Sequence, residues 1–150
     1  MKITTAKSAG FCFGVKRAVD VVYDEIDNED NVYTYGPIIH NDEVVNDLKK
    51  SGVRVVDSME ELKKLPKGTI VIRSHGVPEA IINGIASYGH KIKDATCPFV
   101  SKIHKIVKEQ SEEGRFIIIV GNPDHPEVEG IIGWIKNQGD EATSLNYKVI

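Results

Sequence analysis

The stretch TIVIRSHGVPEAIINGIASYG, residues 69–89, contains one complete strand, one turn and one complete helix. Thr69 to Arg73 is apolar and rich in β-branched residues, which reads as a strand. Pro78 stands where the first turn of a helix tolerates proline best, and Gly89 supplies the stop. The turn between them, SHGV, puts His75 at the carboxyl end of the strand. A strand that leads through a short turn into a helix is the unit from which parallel sheets are built.

The same unit recurs on both sides. Lys2 to Ala6 reads as a strand, followed by Val15, Ala18, Val19, Val22 and Ile26 at helical spacing. Asn31 to Tyr35 is a second strand, and Asn41 is placed to cap a helix over Asp42 to Ser51 that Gly52 ends. Val53 to Val56 is a third strand. Ser58 and Glu61 form a capping-box pattern for a short helix ending near Pro66. After residue 89, His90 to Asp94 is a weaker strand, Pro98 opens a helix running to Glu113, and Arg115 to Val120 is the clearest strand of all. A helix from Pro126 to about Asn137 follows, then a loop with one further strand within Gly139 to Ile150. The expected class is α/β: repeated β-α units forming parallel sheets flanked by helices. HGVPEA and HPEVEG hint at two related lobes divided near Cys97.

Composition fits this picture and removes several functions. The 150 residues are 41% hydrophobic and 27% charged, as in a globular chain with a real core. Lys plus Arg number 19 against 22 Asp plus Glu, a net charge of −3 without basic blocks, which argues against nucleic acid as a partner. The longest aliphatic run, Ile117 to Val120, is far too short to span a membrane, and MKITTAKSAG lacks the apolar core of a secretory signal. Cytoplasmic localisation is expected. Two cysteines do not make a disulfide scaffold; in a reducing compartment they serve catalysis, metal ligation or simple burial.

Ligands of open parallel sheets gather at the carboxyl ends of the strands. There the reactive residue types cluster: Cys12 in GFCFG, His40 in GPIIHND, His75 in RSHGVPE, Cys97 in DATCPFV, and His125 with Glu127 in NPDHPEVEG. Only VVDSMEE, at the third junction, lacks a Cys or His. Thiols, imidazoles and a carboxylate on one edge suit a soft metal centre beside an anionic ligand. His90 reads instead as structural, His104 as packed or half-exposed helix surface, Trp134 as packing, Asp124 and Glu129 as helix-end carboxylates, and Lys16 and Arg17 as solvated residues or as cations offsetting a negative group near Cys12. No CxxC, HExxH, P-loop or GxGxxG pattern is present.

Taken in order and spacing, GFCFGVKRAV, the HN of IIHNDEVV, RSHGV, DATCPFVSKIH and HPEVEG resemble the 4-hydroxy-3-methylbut-2-enyl diphosphate reductase family of the non-mevalonate isoprenoid pathway. The resemblance runs over nearly the whole chain and thins after Ile135. It implies an iron–sulfur oxidoreductase that removes the hydroxyl of an allylic diphosphate to give isopentenyl and dimethylallyl diphosphates. By that resemblance Cys12 and Cys97 ligate a 4Fe–4S cluster, His40, His75 and His125 donate to the diphosphate, and Glu127 relays a proton. It also implies ferredoxin or flavodoxin as electron donor and a three-lobed fold. Within that fold, residues 1–13 are a strand and Cys loop packing on the third lobe, 14–96 the first lobe, and 97–150 an incomplete second lobe. The family's third cysteine comes from a later segment that this sequence lacks, so the 150-residue chain by itself is expected to be inactive or weakly active. The alternative is a non-catalytic diphosphate- or metal-binding module.

Overall fold

The structure, a computed structural model, describes residues 1–29, 31–136 and 147–150. In chain order the elements are α1 (Phe13–Asn28), β1 (Val32–Tyr35), α2 (Asp42–Lys50), β2 (Arg54–Val56), α3 (Met59–Lys64) and β3 (Thr69–Ile72). They continue with α4 (Glu79–Ser87), β4 (Lys91–Asp94), α5 (Pro98–Glu112), β5 (Ile117–Ile119), α6 (Pro126–Ile132) and β6 (Tyr147–Val149).

Four strands form one parallel sheet in the order β2-β1-β3-β4, with β1 and β3 in register from Val32 opposite Thr69 to Tyr35 opposite Ile72. All four residues of β3 are buried, as expected for a central strand covered on both faces. Because side chains alternate, Val71 joins Val32, Ala18, Val22, Leu48 and Ile38 in one cluster, while Ile70 and Ile72 join Tyr33, Val56, Leu62 and Ile85 in another. The first cluster draws on α1 and α2, the second on α3 and α4. A separate two-stranded parallel sheet pairs β5 with β6, and Ile119 packs with Val107 of α5 and Val128 and Ile131 of α6. The class is the α/β expected.

Local capping follows the sequence closely. The Asn41 side chain accepts from Val44 N–H at 3.0 Å and Ser58 from Glu61 N–H at 3.2 Å, each meeting a helix donor that would otherwise lack a partner. Three expectations are corrected. Lys2 to Ala6 is not a strand: the segment pairs with nothing among the described residues, and Ile3 is 77% exposed with no apolar surface to cover it. The strand expected over Arg115 to Val120 is confined to Ile117–Ile119, because its partner β6 is equally short. The last helix stops at Ile132, where Gly133 caps it; Asn137, and residues 139–146 of the expected terminal loop, lie outside the described residues.

Candidate functional site

The histidine edge is built from turns tied to one another through the backbone. After β1, Gly36 N–H donates to Val56 O at 2.8 Å, and Ile38 and Ile39 are buried, which leaves His40 at the exposed end of the loop. After β3, the chain turns through Arg73 to Gly76, closed by Gly76 N–H to Arg73 O at 3.0 Å and by Arg73 Nε to Gly76 O at 3.3 Å. Gly76 has φ +72°, a conformation that disfavours any side chain there. Ser74 N–H reaches Ile38 O at 3.2 Å, joining the two turns.

These supports bring three imidazoles together. His40 and His75 have ring centroids 4.7 Å apart, His75 and His125 5.6 Å, and His40 and His125 6.1 Å. One ring nitrogen from each lies within 4.8 Å of the others. Half-burial pushes the His75 pKa down to about 4, and the neighbouring His40, His125 and Arg73 act in the same direction. The ring is therefore neutral at neutral pH.

His125 is oriented by its own helix. As the N-cap of α6, its Nδ1 accepts from Glu127 N–H at 3.2 Å. A neutral imidazole that accepts at Nδ1 carries its proton on Nε2. Nε2–H is thus a donor, and it serves as a metal ligand only if the cap is given up. The triad could hold a metal by its spacing, but this tautomer favours an anion that accepts from it. Glu127 is half-buried on the first turn of α6, two residues beyond His125.

The two cysteines occupy equivalent positions: Cys12 is the N-cap of α1 and Cys97 the N-cap of α5, and both are free thiols. The start of α1 lies against Cys97. A Cβ on Gly14 would stand 2.6 Å from Cys97 Sγ, so only glycine leaves the thiol its place. Arg17, one turn along α1, donates from its guanidinium to Asp94 O and Thr96 O, each at 3.1 Å. Cys97 N–H in turn donates to Ser74 O at 2.9 Å, next to His75. The start of α1, the Cys97 turn and the turns bearing His40 and His75 are thereby joined through hydrogen bonds and close contacts.

Some readings of the sequence change. Arg17 is more than a solvated residue: its guanidinium is a strut between α1 and the β4–α5 turn, while Lys16 pairs with Asp20 at 2.6 Å. His90 is structural as expected, buried with Nε2 3.2 Å from Leu62 O. His104 is also inside, at 5% exposure. It shares a face of α5 with Val100, Val107 and Ser111, all buried; that spacing was the signal for its burial.

The structure is thus a parallel α/β protein whose sheet edge carries free thiols at two helix starts and a histidine triad beside them. The LytB protein family matches residues 3–146, and the chain belongs to that family. It is 46% identical over 98% of its length to 4-hydroxy-3-methylbut-2-enyl diphosphate reductase of Caldanaerobacter subterraneus subsp. tengcongensis, covering 54% of that protein. The reductase of Thermoanaerobacter pseudethanolicus is 50% identical over 97% of the chain, which covers 51% of it. Two solved structures agree in fold. One is of (E)-4-hydroxy-3-methyl-but-2-enyl diphosphate reductase, described as the terminal enzyme of the non-mevalonate pathway (TM-score 0.74, 42% identity, 88% of this chain and 46% of that one). The other is of the reductase from Plasmodium falciparum (TM-score 0.84, 26% identity, 96% and 42%). The chain spans about half the length of the curated relatives it matches.

Proposed function

We propose that this chain forms the substrate-binding N-terminal half of a reductase that removes the hydroxyl of (E)-4-hydroxy-3-methylbut-2-enyl diphosphate, yielding isopentenyl and dimethylallyl diphosphates. The observation that carries the reading is the triad of His40, His75 and His125, with one ring nitrogen of each within 4.8 Å of the others and the Nε2–H of His125 left as a donor. Three convergent donors match the oxygens of a diphosphate. A bound anion opposes the charge of Arg73 beside His75 and favours a proton on its ring, so binding takes up protons as well as charge.

Cys12 and Cys97 fit a 4Fe–4S cluster as two of its ligands: both are free, both cap helices, and Gly14 leaves space at Cys97 Sγ. The third thiol would come from the part of the relatives' length that this chain does not span. When bound, the cluster supplies electrons and a Lewis-acidic iron. The chain's own residues grip the diphosphate at the histidines and present a carboxyl, Glu127, as proton donor to the hydroxyl. In the overall change the C–O bond breaks, two electrons and two protons are taken up, and water leaves. Ferredoxin or flavodoxin as electron donor and a cytoplasmic location belong to the same reading; no helix among the described residues is long and apolar enough to cross a membrane. The two sheets are read as a first lobe over 14–96 and the start of a second from Cys97.

Titration calorimetry with inorganic pyrophosphate tests the binding half of this reading. Micromolar to millimolar binding that falls about tenfold or more in His75→Gln and His125→Gln is expected, since charge-assisted donors are lost. Tight zinc binding by the triad with no pyrophosphate binding would instead support the metal-binding module.

A further inference from the structure

Beside the triad lies a buried group with no role in the scheme above. The Nε2 of His104 has no hydrogen-bond partner among the described residues, although a buried polar atom normally finds one. Its ring stacks on the Trp134 indole, with centroids 5.4 Å apart and planes at 18°. The indole is itself fixed, its Nε1–H donating to Val77 O at 2.9 Å.

Two glycines give the imidazole its space. A Cβ on Gly76 would be 2.5 Å from His104 Cε1, and a Cβ on Gly130 would be 3.4 Å both from His104 Nε2 and from the backbone O of His75. Gly76 directly follows His75, and Gly130 lies in α6, which His125 caps. The ring therefore touches both supports of the triad at once. Burial pushes the His104 pKa down, against a smaller opposing effect of Asp94, so the ring sits there as a neutral flat plate. A cavity of about 380 Å³ borders His104 and Trp134, and a smaller residue 104 leaves room for the turn and the helix to settle.

We propose that His104 is the positioning residue of the histidine triad: its ring, wedged between Gly76 and Gly130 and backed by Trp134, sets how far the turn bearing His75 stands from the helix capped by His125. The functional meaning of this spacing rests on the diphosphate reading; the geometry does not.

The test uses the full 150-residue chain and two measurements, the titration midpoint of the His75 ring by NMR and the affinity for inorganic pyrophosphate. His104→Ala should loosen the triad, raising the His75 midpoint toward the ordinary 6.5 by about one pH unit or more, and should weaken pyrophosphate binding about tenfold. His104→Phe keeps a flat ring between the glycines and should hold both readouts near those of the unmodified chain. If His104→Ala does not fold, as judged by circular dichroism, His104→Leu replaces it, filling the volume without a flat face, and should move both readouts in the same direction. A folded Ala or Leu variant with the original midpoint overturns the proposal, as does a Phe variant as damaged as Ala. Should the unmodified chain not bind pyrophosphate, the diphosphate reading fails, while the His75 midpoint still decides the role of His104.

Discussion

The two sheets of this molecule differ in how far each is covered. In the four-stranded sheet, Ile70 and Ile72 are sealed on one face and Val71 on the other, all at 0% exposure. In the two-stranded sheet, Ile119 is covered by α5 and α6, but its neighbours on the opposite face, Phe116, Ile118 and Val120, are 59%, 62% and 81% exposed. The first sheet has both layers of helices that a parallel sheet needs; the second, among the described residues, has one. The histidine triad spans this difference, with His40 and His75 supplied by the covered sheet and His125 by the turn after β5.

The largest effect expected from breaking the comparison is in the covered sheet. Ile70→Ala should cost about 2–5 kcal/mol in urea unfolding, the usual range for emptying a sealed core position. At the seam between the sheets, Trp134→Phe removes the donor to Val77 O, which belongs to a residue 2% exposed, and should cost about 1–2 kcal/mol.

A third, pH-dependent effect concerns the triad. The His75 pKa is about 4 in the fold, below the unfolded 6.5, so the unfolded chain takes up the extra proton first. The contribution of His75 to stability is therefore complete above pH 6.5 and is lost as pH falls toward 4. The urea midpoint should decline over that window, and the part removed by His75→Gln is the part due to this ring; added pyrophosphate should flatten the decline. The smallest effect belongs to the open face: Ile118→Ser should change stability by no more than about 0.5 kcal/mol while reducing self-association in light scattering. A large destabilisation there would mean that the second sheet is more fully covered than its exposure indicates.

Much of this was legible in the sequence. Local chemistry governs the caps at Asn41 and Ser58, the buried run of β3 and the sites of His40, His75 and His125, because short-range hydrogen bonding and side-chain periodicity decide them. Lys2 to Ala6 forms no strand here because a strand is made by its partner, and the segment has none among the described residues. Glu79 was equally silent: its carboxylate binds Lys108 at 2.6 Å and also Lys136, joining α4 to the second sheet's helices, and both lysines hold its pKa down. Arg17 and His104 also act through tertiary contacts at long sequence separation. For His104 the helical spacing left packing and half-exposure both open, and nothing local indicated that two glycines would meet its ring.

The contact between Gly14 and Cys97 has a consequence for how such a chain can vary over generations. Any side chain acquired at position 14 displaces the sulfur at 97, and Arg17, on the same helix, fixes the turn into which that sulfur would have to retreat. Wherever the thiol at 97 is needed, the two positions are therefore expected to vary as one heritable unit, with glycine kept at 14 for as long as the sulfur is kept at 97.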